Sequence, residues 1–171
     1  FPTRRSSDLL DLDEYRLAGG LHALEHAAIA ILPLYAMCDR WDIGGMSTSL
    51  HPDTGRATIF IYDAYPGGVG ISARAFDLAA AHLRAAREMV LSCPCREGCP
   101  SCIHSPKCGS GNEPLDKRAA LELLALLEED LSHVVAGAGG IGLAENTAPQ
   151  GLIQRLGEAD KINGEGDRGD G

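Results

Sequence analysis

The sequence is short of aromatic residues, short of positive charge and without a long apolar run. Phe, Trp and Tyr make up only 5% of the 171 residues, so a core has to be built mostly from Ala, Leu, Ile and Val. Lys and Arg number 15 against 24 Asp and Glu, a net charge of -9. A chain this acidic gains nothing from bulk attraction to a phosphate backbone, and contact with nucleic acid would need a local basic surface or another domain. The apolar run 27–34 contains Pro33 and falls short of the roughly 18 residues a membrane helix needs, so no membrane partner is expected. No secretory leader is evident. Five clustered cysteines plus the isolated Cys38 do not form a secreted disulfide framework, and a reducing, cytoplasmic setting is expected.

What the chain does have is a run of thiols: Cys93, Cys95, Cys99, Cys102 and Cys108. Zinc takes four soft donors in a tetrahedron with Zn–S bonds of about 2.3 Å. Cys99-Pro-Ser-Cys102 has the CxxC spacing that lets two thiolates grip one ion. The expected set is Cys95, Cys99, Cys102 and Cys108, with Cys93 as the alternative to Cys95 and His104 a bystander. A redox CxxC would sit at a helix N-terminus, whereas Pro and Gly surround this pair. Iron–sulfur ligation is also open to four cysteines, but a structural Zn2+ fits best. Four thiolates leave no open coordination position, so the metal is expected to fold the loop and do no chemistry.

A second pattern is His22-Ala-Leu-Glu25-His26, which matches the H-x-x-E-H of inverted zinc metallopeptidases. On a helix both imidazoles share one face with the carboxylate beside them. A peptidase would need a third ligand. Glu88 and Glu113 are present, but nothing marks either out, and the plainer reading is a helix face packed on a loop. The turn 63–70, Asp-Ala-Tyr-Pro-Gly-Gly-Val-Gly, could offer N–H groups to a phosphate. No Gly-Lys-Ser/Thr follows it, so it is not a P-loop, and a tight strand-to-helix turn is expected. Asp39, Asp42 and Asp63 are expected to cap turns or to pair with Arg40 and the histidines rather than hold a cation.

The spacing of Leu21, Leu24, Ala28, Ile31 and Tyr35 predicts a helix from about residue 9 or 21 to 37, with Gly19-Gly20 breaking it or starting a second one. Segments 46–51 and 57–62 around the turn 52–56 predict a β-hairpin. An Ala-rich helix is expected over 71–91. After the cysteine loop comes a helix N-capped by Asn112 and running to about 131. The fold class expected is α/β (α+β): a small antiparallel hairpin or sheet packed on three to four helices, with a four-cysteine zinc loop between two of them. Residues 1–9 resemble the translation of a sequencing adapter and are set aside as an artefact. Residues 10–135 form the domain. Residues 136–171, acidic and Gly-rich, are expected to be disordered, with room for a short helix at 152–156.

Taken in order, the blocks Leu21-His-Ala-Leu-Glu-His-Ala27, Cys38-Asp-Arg-Trp-Asp-Ile-Gly-Gly45, Phe60-Ile-Tyr-Asp-Ala-Tyr-Pro-Gly-Gly-Val-Gly70, Gly98-Cys-Pro-Ser-Cys-Ile-His-Ser-Pro-Lys-Cys-Gly109 and Asn112-Glu-Pro-Leu-Asp-Lys117 resemble the C-terminal zinc-binding domain of MrfA-like superfamily 2 (DEAD/DEAH-box) DNA helicases, relatives of the RecQ-like Hrq group. The resemblance covers roughly residues 21–131. It implies a domain that follows two RecA-like motor lobes in an ATP-dependent 3′-5′ DNA helicase of DNA repair. It implies a structural zinc, by position on Cys95, Cys99, Cys102 and Cys108, and ATP and Mg2+ only in the full-length protein. This stretch has no Walker A, no D-E-x-H box and no arginine finger, so no autonomous activity is expected from it. Arg96, His104, Lys107 and Lys117 are the loop residues expected to reach DNA within the complete enzyme. An H-x-x-E-H peptidase and a stand-alone zinc interaction module are the alternatives.

Overall fold

The computed structural model describes residues 12–137, the last six by backbone only. The expectations for residues 1–9 and for 138–171, including the helix at 152–156, lie outside the described residues. Helix α1 runs Glu14–Ile31. Asp13 starts it, its carboxylate accepting the Arg16 N–H at 2.8 Å, which satisfies one of the free donors of the first turn. The helix passes straight through Gly19 and Gly20, where a break was expected. Both glycines face helix α5, Lys117–Gly137, and the residues leading into it. A Cβ on Gly19 would lie 3.1 Å from the Asp116 nitrogen, and one on Gly20 would lie 2.7 Å from the Ala119 Cβ. The loss of helix propensity, about 1 kcal/mol per glycine, is offset by this close approach.

After α1 come the short helix α2, Pro33–Ala36, and a 3-10 turn, Arg40–Asp42, which Asp39 and Asp42 close as a reciprocal capping box. Strands β1 (Ile43–His51) and β2 (Arg56–Asp63) form a two-stranded antiparallel sheet. Gly44 faces Tyr62 and Met46 faces Phe60, and the register shifts between Thr48 and His51. The hairpin is the predicted one, longer at its outer ends.

The turn after β2 leads into α3, Ile71–Asp77. The Asp63 carboxylate accepts the N–H groups of Val69, Gly70, Ile71 and Ser72 at 2.5, 2.7, 3.1 and 2.6 Å. The chain's own carboxylate therefore fills the anion position that the glycine turn creates. The single helix expected over 71–91 is two: α3 and α4 (Ala79–Ser92) meet at Leu78, whose φ of -108 and ψ of 14 lie outside the helical region.

The last helix starts later than expected. Asn112 sits at φ 65 and bridges the N–H and C=O of Ser105 at 2.7 and 3.1 Å. The cap is Asp116, which accepts the Ala119 N–H at 2.8 Å.

Helix α1 is central. Leu17, Leu21, Leu24 and Ala27 pack with Ala86 and Val90 of α4 and with Ala119, Ala120, Leu123 and Leu124 of α5, and Ile103 of the cysteine loop joins them. Ala23, Ala27, Ala28, Ala86, Ala119 and Ala120 have no exposed surface. Backbones held this close are how a chain with few aromatics reaches interior density. Ile29, Leu32, Ile43 and Ala75 form a smaller cluster beneath the sheet. The segment Glu14–Ala36 is long and apolar enough on average to cross a bilayer, although no unbroken apolar run spans it, but 67% of its apolar 18-residue window is buried in this fold, the position of a core helix. The expected α/β class is the one observed, with the cysteine loop between α4 and α5.

Candidate metal centre

Helix α4 ends at Ser92, and Cys93, in extended conformation, turns the chain into the loop. Within it Cys99-Pro-Ser-Cys102 closes on itself: the N–H groups of Cys102, Ile103 and His104 all lie within 3.2 Å of the Cys99 carbonyl. Gly98 makes the turn possible. Its φ is 129, and a Cβ there would lie 2.6 Å from the Ile103 Cδ1, so backbone and packing both exclude a side chain.

The ligand atoms of Cys93, Cys95, Cys99 and Cys102 all lie within 4.8 Å of one another. The separations are 3.6 Å for Cys93–Cys95, 3.5 Å for Cys93–Cys99, 3.5 Å for Cys95–Cys102 and 3.8 Å for Cys99–Cys102. A tetrahedron of Zn–S bonds near 2.3 Å has edges of about 3.8 Å, whereas a disulfide would need about 2.05 Å. Four of the six sulfur–sulfur edges have the spacing of a metal thiolate tetrahedron, the other two lie within 4.8 Å, and the soft donor set suits zinc.

The grouping differs from the expected one. Cys93 stands beside Cys95 instead of replacing it, and Cys108 lies elsewhere. Between Cys102 and Cys108 lies Ile103, which has no exposed surface. Burying it directly after Cys102 sends the following residues across α1, and Cys108 ends with its Sγ 3.4 Å from the Nε2 of His22.

Two of the expected DNA contacts are engaged internally. Lys117 is buried, and its ammonium donates to the carbonyls of Cys93 and Cys95 at 2.7 and 2.8 Å and reaches the Cys95 Sγ at 3.4 Å. Zn2+ on four thiolates carries a net charge of about -2, which an ammonium at this distance partly offsets. The Lys107 ammonium donates to the carbonyls of Arg40 and Ile43 and lies 5.8 Å from the Trp41 ring centre. Burial holds its pKa below the ordinary lysine range. Arg96 and His104 remain exposed. Burial alone would raise the Cys95 thiol, but contacts with Cys102, Cys93 and Lys117 outweigh it and bring it to about 7. Burial, then Cys95, pushes Cys102 up to about 12.

A second group comprises His22, His26 and Cys108, whose ligand atoms also lie within 4.8 Å of one another. The imidazole centres are 4.3 Å apart. His22 Nδ1 is 2.9 Å from the Pro114 carbonyl, and His26 Nδ1 is 2.8 Å from that of Ile103. Burial holds His26 below the ordinary histidine pKa and raises that of Glu25. The three polar residues of the H-x-x-E-H pattern do share one helix face, which lines a cleft of about 520 Å³ with β1 and the loop after Cys102. The third member of the group is a thiol, and among the described residues neither Glu88 nor Glu113 nor any other carboxylate joins it as the third ligand a peptidase would need. No spacing rule could have linked Cys108 to a histidine 86 residues away.

A family model described as the MrfA Zn-binding domain matches residues 24–103. That stretch contains Cys93, Cys95, Cys99 and Cys102 and ends before Cys108. The chain is 40% identical over 112 residues to uncharacterized protein MJ1572.1 of Methanocaldococcus jannaschii, covering 63% of this chain and 98% of that protein. It is 38% identical over 116 residues to the uncharacterized ATP-dependent helicase YprA of Bacillus subtilis, covering 68% of this chain but 14% of the helicase. To the ATP-dependent helicase hrq1 of Schizosaccharomyces pombe it is 30% identical over 135 residues, covering 70% of this chain and 13% of that protein. Among solved structures it is similar to the DUF1998 helicase MrfA bound to DNA, with a TM-score of 0.58 and 36% identity over 69% of this chain and 15% of that one.

Proposed function

Because the chain belongs to the MrfA Zn-binding domain family, we propose that it is the zinc-stabilised accessory domain of an ATP-dependent DNA helicase, clasped by one Zn2+ on Cys93, Cys95, Cys99 and Cys102. The observation that carries this reading is the group of four sulfurs, 3.5 to 3.8 Å apart along the edges given above, inside the stretch the family shares. When bound, zinc supplies the cross-links that a loop rich in Gly and Pro cannot draw from apolar packing. The chain's own residues do the rest. Ile103 pins the loop to the core, Gly98 lets it turn, and Lys117 neutralises part of the thiolate charge while tying the loop to α5.

ATP and Mg2+ belong to RecA-like motor lobes elsewhere in the full-length protein, and DNA is the partner through them. Arg96 and His104 are the exposed loop residues left to touch a phosphate backbone. A cytoplasmic, reducing setting keeps the thiols free for metal. One observation favours a second reading, a stand-alone zinc interaction module: this domain accounts for 98% of MJ1572.1.

Expression of the protein encoded by the complete gene separates the two. The helicase reading expects motor motifs upstream and ATP-dependent unwinding that Cys93→Ser/Cys99→Ser weakens. A complete gene without motor lobes, whose product still holds zinc on the four cysteines, contradicts it and supports the module.

A further inference from the structure

We infer that His22, His26 and Cys108 form a second transition-metal site, suited to Zn2+ and separate from the four-cysteine centre. A carbonyl oxygen can only accept a hydrogen bond, so the Nδ1 atoms that face Pro114 and Ile103 at 2.9 and 2.8 Å must carry the protons. In the neutral rings both Nε2 atoms are then left with lone pairs. Backbone carbonyls holding the far nitrogen are the usual outer support of a metal-binding histidine, fixing both its tautomer and its ring orientation.

The third donor is held as firmly. Cys108 Sγ accepts the backbone N–H of Asn112 at 3.2 Å. It lies 3.4 Å from His22 Nε2. A tetrahedral ion with Zn–N near 2.05 Å and Zn–S near 2.3 Å separates these donors by about 3.5 Å. The histidines stand one turn apart on α1, whose burial leaves them little freedom to move away. Two imidazoles and a thiolate select zinc or a related transition metal over Mg2+ and Ca2+, which take oxygen donors. Three protein ligands leave a fourth position for water, and the group borders the cleft of about 520 Å³. Glu25 borders the same cleft.

The site is independent of the first. The four sulfurs are complete without Cys108. A metal here would tie α1 to the chain beyond the cysteine loop, across 86 residues of sequence.

Metal counting on the 171-residue chain, stripped of metal under reducing conditions and reloaded with Zn2+, tests the inference. Wild type should bind two equivalents, and Cys108→Ser or His22→Gln one each. Cys93→Ser/Cys99→Ser should retain one equivalent, and adding Cys108→Ser should remove it. With Co2+, Cys108→Ser should remove only a minor part of the thiolate-to-metal absorption. A wild type that binds one equivalent, undiminished by Cys108→Ser, overturns the second site and leaves the first standing. Where Cys108→Ser fails to fold, the His22→Gln count decides in its place. Failure of the four-cysteine reading shows separately, as zinc content that Cys93→Ser/Cys99→Ser does not change.

Discussion

A buried ammonium is tolerated only when its hydrogens are used. Lys117 directs its charge to two carbonyls and a sulfur of the cysteine loop. Lys117→Met keeps the apolar stem but leaves those carbonyls without a donor. It should lower stability by about 1–3 kcal/mol, read by chemical denaturation of the zinc-loaded chain. A stability unchanged from wild type would instead make Lys117 one more surface cation, free for the DNA contact first expected of it. Gly98 makes a second test at this scale. Gly98→Ala forces a side chain into φ 129 and against Ile103, and a loss of about 1–3 kcal/mol is expected, with zinc released more readily to a chelator. The CxxC at 99–102 was readable from spacing, because its two thiolates meet through a local turn. The choice among Cys93, Cys95 and Cys108 was not. It depends on which way the chain leaves Cys102, and that is decided by the burial of Ile103 against residues far away in sequence.

At the scale of elements, the contact between α1 and α5 rests on absent side chains. Gly20→Val should destabilise by about 1–3 kcal/mol through overpacking against Ala119 and Leu123, measured by thermal or urea unfolding. A neutral outcome would mean that the two helices can separate at no cost. The entry into α3 depends instead on charge. Partial burial would raise the Asp63 pKa, but hydrogen bonds from Ser72, Val69 and Ile71 outweigh it and hold it at about 2, against an ordinary 3.8. Its stabilising contribution is therefore complete above the ordinary value and is lost as the pH falls through about 2. Asp63→Asn should be less stable than wild type at neutral pH, and the gap should narrow in that acid window. A gap independent of pH down to 2 would contradict the cap.

The hairpin and the helical faces were legible because their periods are local. Gly19-Gly20 read as a break because propensity sees the cost of glycine and not the helix packed on it. Asn112 read as a cap because Glu113-Pro114 suits a first turn. The chain instead spends Asn112 on holding Ser105 and begins the helix behind Asp116.

Over the whole molecule, the loop between α4 and α5 is held from three sides: by Ile103 in the core, by Lys117 from α5 and, as proposed, by zinc among four sulfurs. The fold class could be read from local periodicity and turn signals, and the family from the order of the sequence blocks. The arrangement of His22, His26 and Cys108 could not, because it exists only once α1 and the far end of the loop are brought together. Cys108→Ser removes a donor of the proposed second site and should leave the four-cysteine centre intact. X-ray absorption at the zinc edge of the Cys108→Ser chain should show one zinc bound by four sulfurs at about 2.3 Å. A zinc with three sulfurs and a light atom, or a chain that holds no zinc, would contradict the assignment of Cys93, Cys95, Cys99 and Cys102.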